Sequence, residues 1–396
     1  MKNLKMLSIL LLLALLSGSI ANAVEPNLMK KADKKGMEKW VNAQFKKMTK
    51  EERIAQLMVI GVSPRVTGEK LDSLKDLVET YNMGGLIFHE MSKNDYVSLY
   101  NTFMSKARTP LLMTIDGEWG LGMRFDGVRD YPQSMALGAI ADKNLIYEYG
   151  KETARQMVAA GIHVNFAPVL DVNDNPMNPV IYRRAFGETP ERVSAYALEY
   201  TRGLEDGGVL STGKHFPGHG STHEDSHKKL PVVSKTLAEL EQCEFKPFVD
   251  YINAGYGGML TAHLNMPSVD NSGLPTSFSD KAINSLLKEK MGFEGLIFTD
   301  ALSMDGAVVE GSRCVAALKA GNDVLLMPKN PPVEIKAVID AVARGELSQQ
   351  VIDECCKKML RYKYALGANV PRVLDIAEME SAIAKPEADL LNHTLT

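Results

Sequence analysis

Three things are scarce in this 396-residue chain: cysteine, blocks of basic residues, and long apolar runs. Its four cysteines are Cys243, Cys314, Cys355 and Cys356. They are too thinly spread for a disulfide scaffold and lack the paired spacing of a zinc site. Adjacent Cys355 and Cys356 fall on one predicted helix, point in different directions, and read as core positions. Lysine and arginine number 45 against 49 acidic residues, and without a basic block to track phosphates the chain is not expected to bind nucleic acid. A membrane span needs about 20 consecutive apolar residues, and no stretch reaches that length.

The longest apolar run, Met6 to Leu16, follows Lys2 and Lys5 and precedes Ala21-Asn22-Ala23. Basic start, short apolar centre and small-residue cleavage site are the pattern of a secretory signal. The sequence thus predicts a signal over 1–23 and an exported protein, periplasmic or extracellular, with no stable membrane span after cleavage. No cysteine stands near that site to accept a lipid. Losing the two lysines takes the formal net charge from −4 to −6. A lysine-rich helical lead-in covers 24–50, a strongly periodic region covers 51–366, and a polar tail broken by Pro371 and Pro386 covers 367–396.

In the periodic region short apolar runs bounded by turn residues alternate with amphipathic stretches. The runs are Gln56 to Ile60, Gly84 to Phe88, Leu111 to Ile115, His163 to Val169, Val209 to Gly213, Gly258 to Ala262, Gly295 to Thr299 and Asp323 to Met327. Helical stretches between them include Leu71 to Tyr81, Asn144 to Ala160, Pro190 to Glu205, Lys235 to Asn253, Asp280 to Lys290 and Gly311 to Ala320. Strands alternating with helices predict a parallel sheet, and eight such units predict a single-domain TIM-type (β/α)8 barrel, with a doubly wound open sheet as the alternative. Reactive residues stand where the runs end: His89, Asp116, Asp171, Lys214 with His215, His263 and Asp300. In a barrel those positions share one rim, where active sites are built.

One stretch concentrates the chemistry: Lys214-His215-Phe216-Pro217-Gly218-His219-Gly220-Ser221-Thr222-His223-Glu224-Asp225-Ser226-His227 holds four of the 8 histidines. They recur every fourth residue, as metal ligands on a helix face would. Pro217, Gly218 and Gly220 break that helix, since an interior proline costs about 3 kcal/mol, so neither a metal nor another cofactor is expected. The other reading is acid/base catalysis, with Asp225 fixing the tautomer of His227 and stabilising its cation. A plain solvent-exposed loop end is the alternative for that pair.

These residues resemble the signature of family 3 glycoside hydrolases of the β-N-acetylhexosaminidase branch: Lys-His-Phe-Pro-Gly-His-Gly, four residues, then Asp-Ser-His. Three further blocks agree in order: Asp116 with Arg124, Asn165-Phe166-Ala167-Pro168-Val169-Leu170-Asp171-Val172, and Phe298-Thr299-Asp300-Ala301-Leu302-Ser303-Met304. The likeness covers about residues 50 to 365 and implies a TIM-type barrel. It implies Asp300 as nucleophile, His227 as general acid/base on a mobile loop, and Asp225 as the residue orienting His227. Asp116, Arg124, Arg184, Lys214 and His215 would hold the sugar, while His219 and His223 receive no role. Trp119 stands where the family has glycine, and would either stack on a sugar or pack under its loop. The implied substrate is a glycan ending in N-acetylglucosamine, such as a peptidoglycan fragment. A phosphorylase acting on the same glycosides and a non-catalytic carbohydrate-binding protein are the alternatives.

Overall fold

The computed structural model describes residues 23–64, 66–226 and 229–396; the expected signal segment up to residue 22 lies outside them. Nine short strands appear close to the expected runs: β1 Met58–Val62, β2 Gly85–Phe88, β3 Leu112–Ile115, β4 Val164–Asn165, β5 Leu210–Ser211, β6 Gly213–Phe216, β7 Gly258–Thr261, β8 Leu296–Thr299 and β9 Leu325–Leu326. The expected fifth run, Val209 to Gly213, contains β5 and reaches only the first residue of β6, which follows after Thr212.

All pairings among these strands are parallel. One six-stranded sheet has the order β9-β1-β2-β3-β4-β5, and a three-stranded sheet has the order β8-β7-β6. Isolated parallel bridges join the two, Val169 with Lys214 and Phe298 with Val324. At the first, Lys214 N–H donates to the Pro168 carbonyl at 3.1 Å; at the second, Thr299 N–H donates to that of Val324 at 2.9 Å. The chain therefore has an α/β fold with a curved parallel sheet. A further pair of two-residue strands, Met91–Ser92 and Phe125–Asp126, lies at the loops after β2 and β3.

Alternation along the strands explains the core. Val59, Ile87, Leu112, Val164, Leu210, Leu260, Leu296, Phe298 and Leu326 pack together on the concave face, with Met359 and Tyr362 beneath them. Their neighbours Met58, Ile60, Leu86, Phe88, Met113 and Ile297 belong to the larger cluster shared with the helices. Strands buried on both faces need apolar residues at nearly every position, as these have. The helices Lys143–Ala159 and Pro190–Asp206 match the expected stretches almost to the residue. The expected helix over 235–253 is instead two, Leu237–Gln242 and Phe245–Asn253, broken at Cys243 and Glu244.

The 367–396 stretch forms helices Ile376–Ile383 and Pro386–Leu395. They dock on Lys143–Ala159, where Arg372 caps the helix by donating to the Val158 and Ala159 carbonyls at 2.9 and 2.8 Å. Pro386 sits in the first turn, where its missing N–H costs nothing. All four cysteines are free thiols, Cys355 and Cys356 buried as expected and Cys314 with them, while Cys243 is half-buried.

Candidate active site

Strand ends bring most of the expected residues to one cavity of about 490 Å³. Asp116 and Arg124 come from the loop after β3, Arg184 from the long connection after β4, Lys214 and His215 from β6, and Asp300 from the end of β8; all six line it. His89, Glu90, Glu118, Trp119, His219 and Ser226 line it as well. Asp225 is described but does not line the cavity. His227, the expected acid/base, lies outside the described residues, next in the chain after Ser226.

Glu118 is the hub of the cavity wall. Its Oε1 accepts from Lys214 Nζ at 2.7 Å and from Arg184 Nη2 at 2.7 Å, while its Oε2 accepts from Arg184 Nε at 2.9 Å. Burial alone would raise the Glu118 carboxyl, but the Arg184 guanidinium and the Lys214 ammonium override it and hold it far below the usual carboxylate range. Lys214 reaches Asp116 Oδ1 at 2.9 Å, and Arg124 Nη2 reaches Asp116 Oδ2 at 3.3 Å. Burial likewise opposes ionisation of Asp116, yet Lys214 and Arg124 keep its carboxyl below its ordinary value. Arg124 also pairs with Glu90 at the rim. Three cations and two anions, each held by at least one other, make a wall of fixed charge.

Below this wall Asp171 is wholly buried and takes three N–H donors. Its Oδ2 accepts from His215 Nδ1 at 2.6 Å and His215 N at 3.2 Å, and its Oδ1 accepts from His219 N at 2.6 Å. Arg184 Nη2 lies 3.2 Å from His215 Nε2. A guanidinium can only donate, so His215 carries its proton on Nδ1 and accepts on Nε2. Asp171 thus sets the tautomer that lets His215 hold Arg184.

Burial, and then His215, push the His219 imidazole down to about 4. Its Nδ1 lies 2.9 Å from Thr222 Oγ1 and its Nε2 3.0 Å from Ser226 Oγ. Burial, followed by Arg124, lowers His89 too. His263, another residue at a strand end, does not itself line the cavity: Nδ1 lies 2.6 Å from Ser277 Oγ and Nε2 3.2 Å from the carbonyl of Ala301, which does. Trp119 is half-buried against the cavity, and its carbonyl accepts from Tyr131 N at 3.2 Å. The Lys214 ammonium is bonded to both Asp116 and Glu118.

Sequence reading missed Glu118 and Asp171 as partners. Asp171 stands in a quoted block and Glu118 lies between Asp116 and Arg124, but pairing depends on side-chain direction, which spacing does not carry. Away from the cavity, Asp174, Cys243 and Glu244 bring potential ligand atoms within 4.8 Å of one another. The Lys235 ammonium already binds both carboxylates there.

The family model for the glycosyl hydrolase family 3 N terminal domain matches residues 49–362. The chain is 33% identical over 329 residues to Beta-hexosaminidase A of Pseudoalteromonas piscicida, a match covering 74% of this chain and 55% of that protein. It is 40% identical over 247 residues to a Beta-hexosaminidase of Chromobacterium violaceum, covering 60% and 68%. Among solved structures, a family 3 beta-N-acetylglucosaminidase from Paenibacillus sp. str. FPU-7 aligns with a TM-score of 0.79 at 31% identity, over 88% of this chain and 68% of that one. The match therefore spans little more than half the length of the first relative and about two thirds of the other two.

Proposed function

The chain belongs to glycosyl hydrolase family 3, and from that premise we propose that it is a retaining, exo-acting β-N-acetylglucosaminidase. Its substrate is a glycan ending in N-acetylglucosamine, a reading supported by the beta-N-acetylglucosaminidase of Paenibacillus to which the chain is similar. The observation that carries the reading is the placement of Asp300 on one cavity with the charged wall of Asp116, Glu118, Arg124, Arg184, Lys214 and His215. The volume, about 490 Å³, falls within the range of small-molecule sites. We infer also that the two sheets form one closed (β/α)8 barrel, with the Val169–Lys214 and Phe298–Val324 bridges as its seams.

Retaining hydrolysis proceeds through two displacements and oxocarbenium-like transition states. Asp300 attacks the anomeric carbon while His227, protonated, delivers its proton to the departing oxygen. The imidazole, now neutral, then takes a proton from water as that water cleaves the glycosyl ester on Asp300. An imidazole near its reference pKa of about 6.5 serves both steps at neutral pH, and Asp225 orients it. Lys214, Arg124 and Arg184 are donors whose positions are fixed before substrate arrives, so little reorganisation is needed when they meet sugar hydroxyls. The basic, apolar, small-residue order of residues 1–23 supports export, and peptidoglycan fragments are a substrate that an exported enzyme would meet.

The test is hydrolysis of a chromogenic β-N-acetylglucosaminide by the mature protein and by Asp300→Ala, with chelator present. The wild type is expected to turn over with chelator and the variant to lose activity by several orders of magnitude. Activity surviving in Asp300→Ala rejects the nucleophile; loss on chelation would favour a metal-dependent hydrolase. Free N-acetylglucosamine in phosphate buffer supports hydrolysis, and the sugar 1-phosphate would identify a phosphorylase.

A further inference from the structure

The loop after β6 is pinned at its base and tied across its span by one side chain. At the base, Asp171 holds His219 N, and Asn178 Nδ2 donates to the His219 and Gly220 carbonyls at 2.8 Å each. Across the span, the His219 ring meets Thr222 Oγ1 on one side and Ser226 Oγ on the other. Only 1% of His219 is exposed. A neutral imidazole offers one donor and one acceptor; a hydroxyl can take either part, so both tautomers satisfy both ring nitrogens.

Ser226 is the junction. Its carbonyl accepts from Gly306 N at 3.2 Å, and a methyl group at position 306 would come within 2.5 Å of that oxygen. Gly306 belongs to the loop that begins at Asp300. Ser226 is therefore held by its side chain to His219 and by its backbone to the segment bearing the expected nucleophile. The next residue in the chain is His227.

We propose that His219 is a positioning residue, bracing Thr222 and Ser226 so that the acid/base segment stays docked against the loop of Asp300. The inference rests on the reading of His227 as acid/base. A loosened acid handicaps departure of a sugar oxygen, which must be protonated, far more than departure of a nitrophenolate, which leaves without much help. A general loss of structure would handicap both alike.

The experiment compares kcat/KM for an N-acetylglucosamine disaccharide and for the para-nitrophenyl glycoside in wild type, His219→Leu, His219→Gln and Ser226→Ala. General acid catalysis contributes roughly a hundredfold or more. His219→Leu is therefore expected to lose about tenfold or more on the disaccharide and several-fold less on the aryl glycoside. Ser226→Ala, which removes one hydroxyl and leaves the core intact, should show the same selective loss. His219→Gln, with one donor and one acceptor, should recover part of the disaccharide activity. Equal losses on both substrates, or none on either, overturn the brace. Asp300→Ala separates the two levels: activity there rejects the catalytic reading itself, whereas its loss beside an unselective His219→Leu defect rejects the brace alone.

Discussion

Glu118 shows how one residue can order a site without touching the bond that breaks. Its side chain is 3% exposed and binds Arg184 through two parallel contacts and Lys214 through one. Removing one partner of a buried ion network leaves uncompensated charge and costs roughly 3 kcal/mol or more. Glu118→Ala should lower stability by about that amount in chemical denaturation. It should also raise KM more than it lowers kcat, because Arg184 and Lys214 lose the partner that aims them. Glu90 gives the contrast: it also pairs with Arg124, but its side chain is 66% exposed. Such pairs contribute about 1 kcal/mol or less, so Glu90→Gln should leave the denaturation midpoint nearly unchanged. Equal destabilisation by the two variants would mean that the charged wall is not organised around Glu118.

Strands and most helices were legible in the sequence because burial on both faces demands apolar runs, and most runs fell within about two residues of their strands, the exceptions being the fourth, which ran four residues past β4, and the fifth, which stopped at the first residue of β6. The rim was legible for a related reason: a parallel strand ends where its apolar run ends, so His89, Asp116 and Asp300 had to emerge on one side, whereas Lys214 and His215 follow the expected fifth run but stand inside β6. Partners were not. Nothing local distinguishes His263, which faces Ser277, from His215, which faces Asp171 and Arg184. The break at Cys243 and Glu244 was equally hidden, since its cause is distant: the buried Glu244 carboxylate holds Ser221 Oγ at 2.8 Å and Lys235 Nζ at 2.6 Å. In the tail, read from the sequence only as a polar stretch broken by Pro371 and Pro386, the second of these prolines starts a helix. Packing of the loop after β6 onto the connection after β4 gives a prediction at this scale. A methyl group at Gly220 would lie 1.7 Å from the Val172 carbonyl, an impossible contact, whereas at Gly208, with φ of +92°, a methyl group would meet nothing within 4 Å. Gly220→Ala should lift the loop from its clamp and lower both stability and kcat/KM. Gly208→Ala should cost about 1 kcal/mol of backbone strain and leave kcat/KM unaltered, measured by denaturation and steady-state kinetics.

Stability of the whole molecule should depend on pH through groups buried far from the cavity rim as well as within it. Burial, then Lys363, push His163 down to about 4, and His219 is lowered likewise. Between about pH 4 and 6.5 the unfolded chain binds protons that the native imidazoles refuse, so stability rises with pH. Glu205 opposes this: burial raises its carboxyl to about 7, so from about pH 4.5 to 7 the native state holds a proton that the unfolded chain gives up. Two histidines against one glutamate leave a net rise from these groups. Above pH 7 the controlling group is Lys363, which burial pushes down to about 7. Its ammonium nitrogen donates to Gln56 Oε1 at 2.7 Å beneath the sheet. From pH 7 to 9 the unfolded lysine stays protonated while the native one does not, so the contribution of Lys363 to stability should rise by about 2 kcal/mol. From about pH 8 the buried thiols such as Cys355, and above about pH 9 the buried tyrosines such as Tyr131 and Tyr200, oppose this by keeping protons that the unfolded chain loses. Lys363→Met removes the titration but leaves Gln56 Oε1 without its donor, a loss of about 1 to 3 kcal/mol that does not vary with pH. Urea denaturation at pH 7 and pH 9 separates the two effects: across the interval wild type should gain about 2 kcal/mol relative to Lys363→Met. Parallel curves for the two proteins would show that Lys363 stays charged in the native state, with Gln56 and its surroundings solvating the ammonium that burial alone would reject.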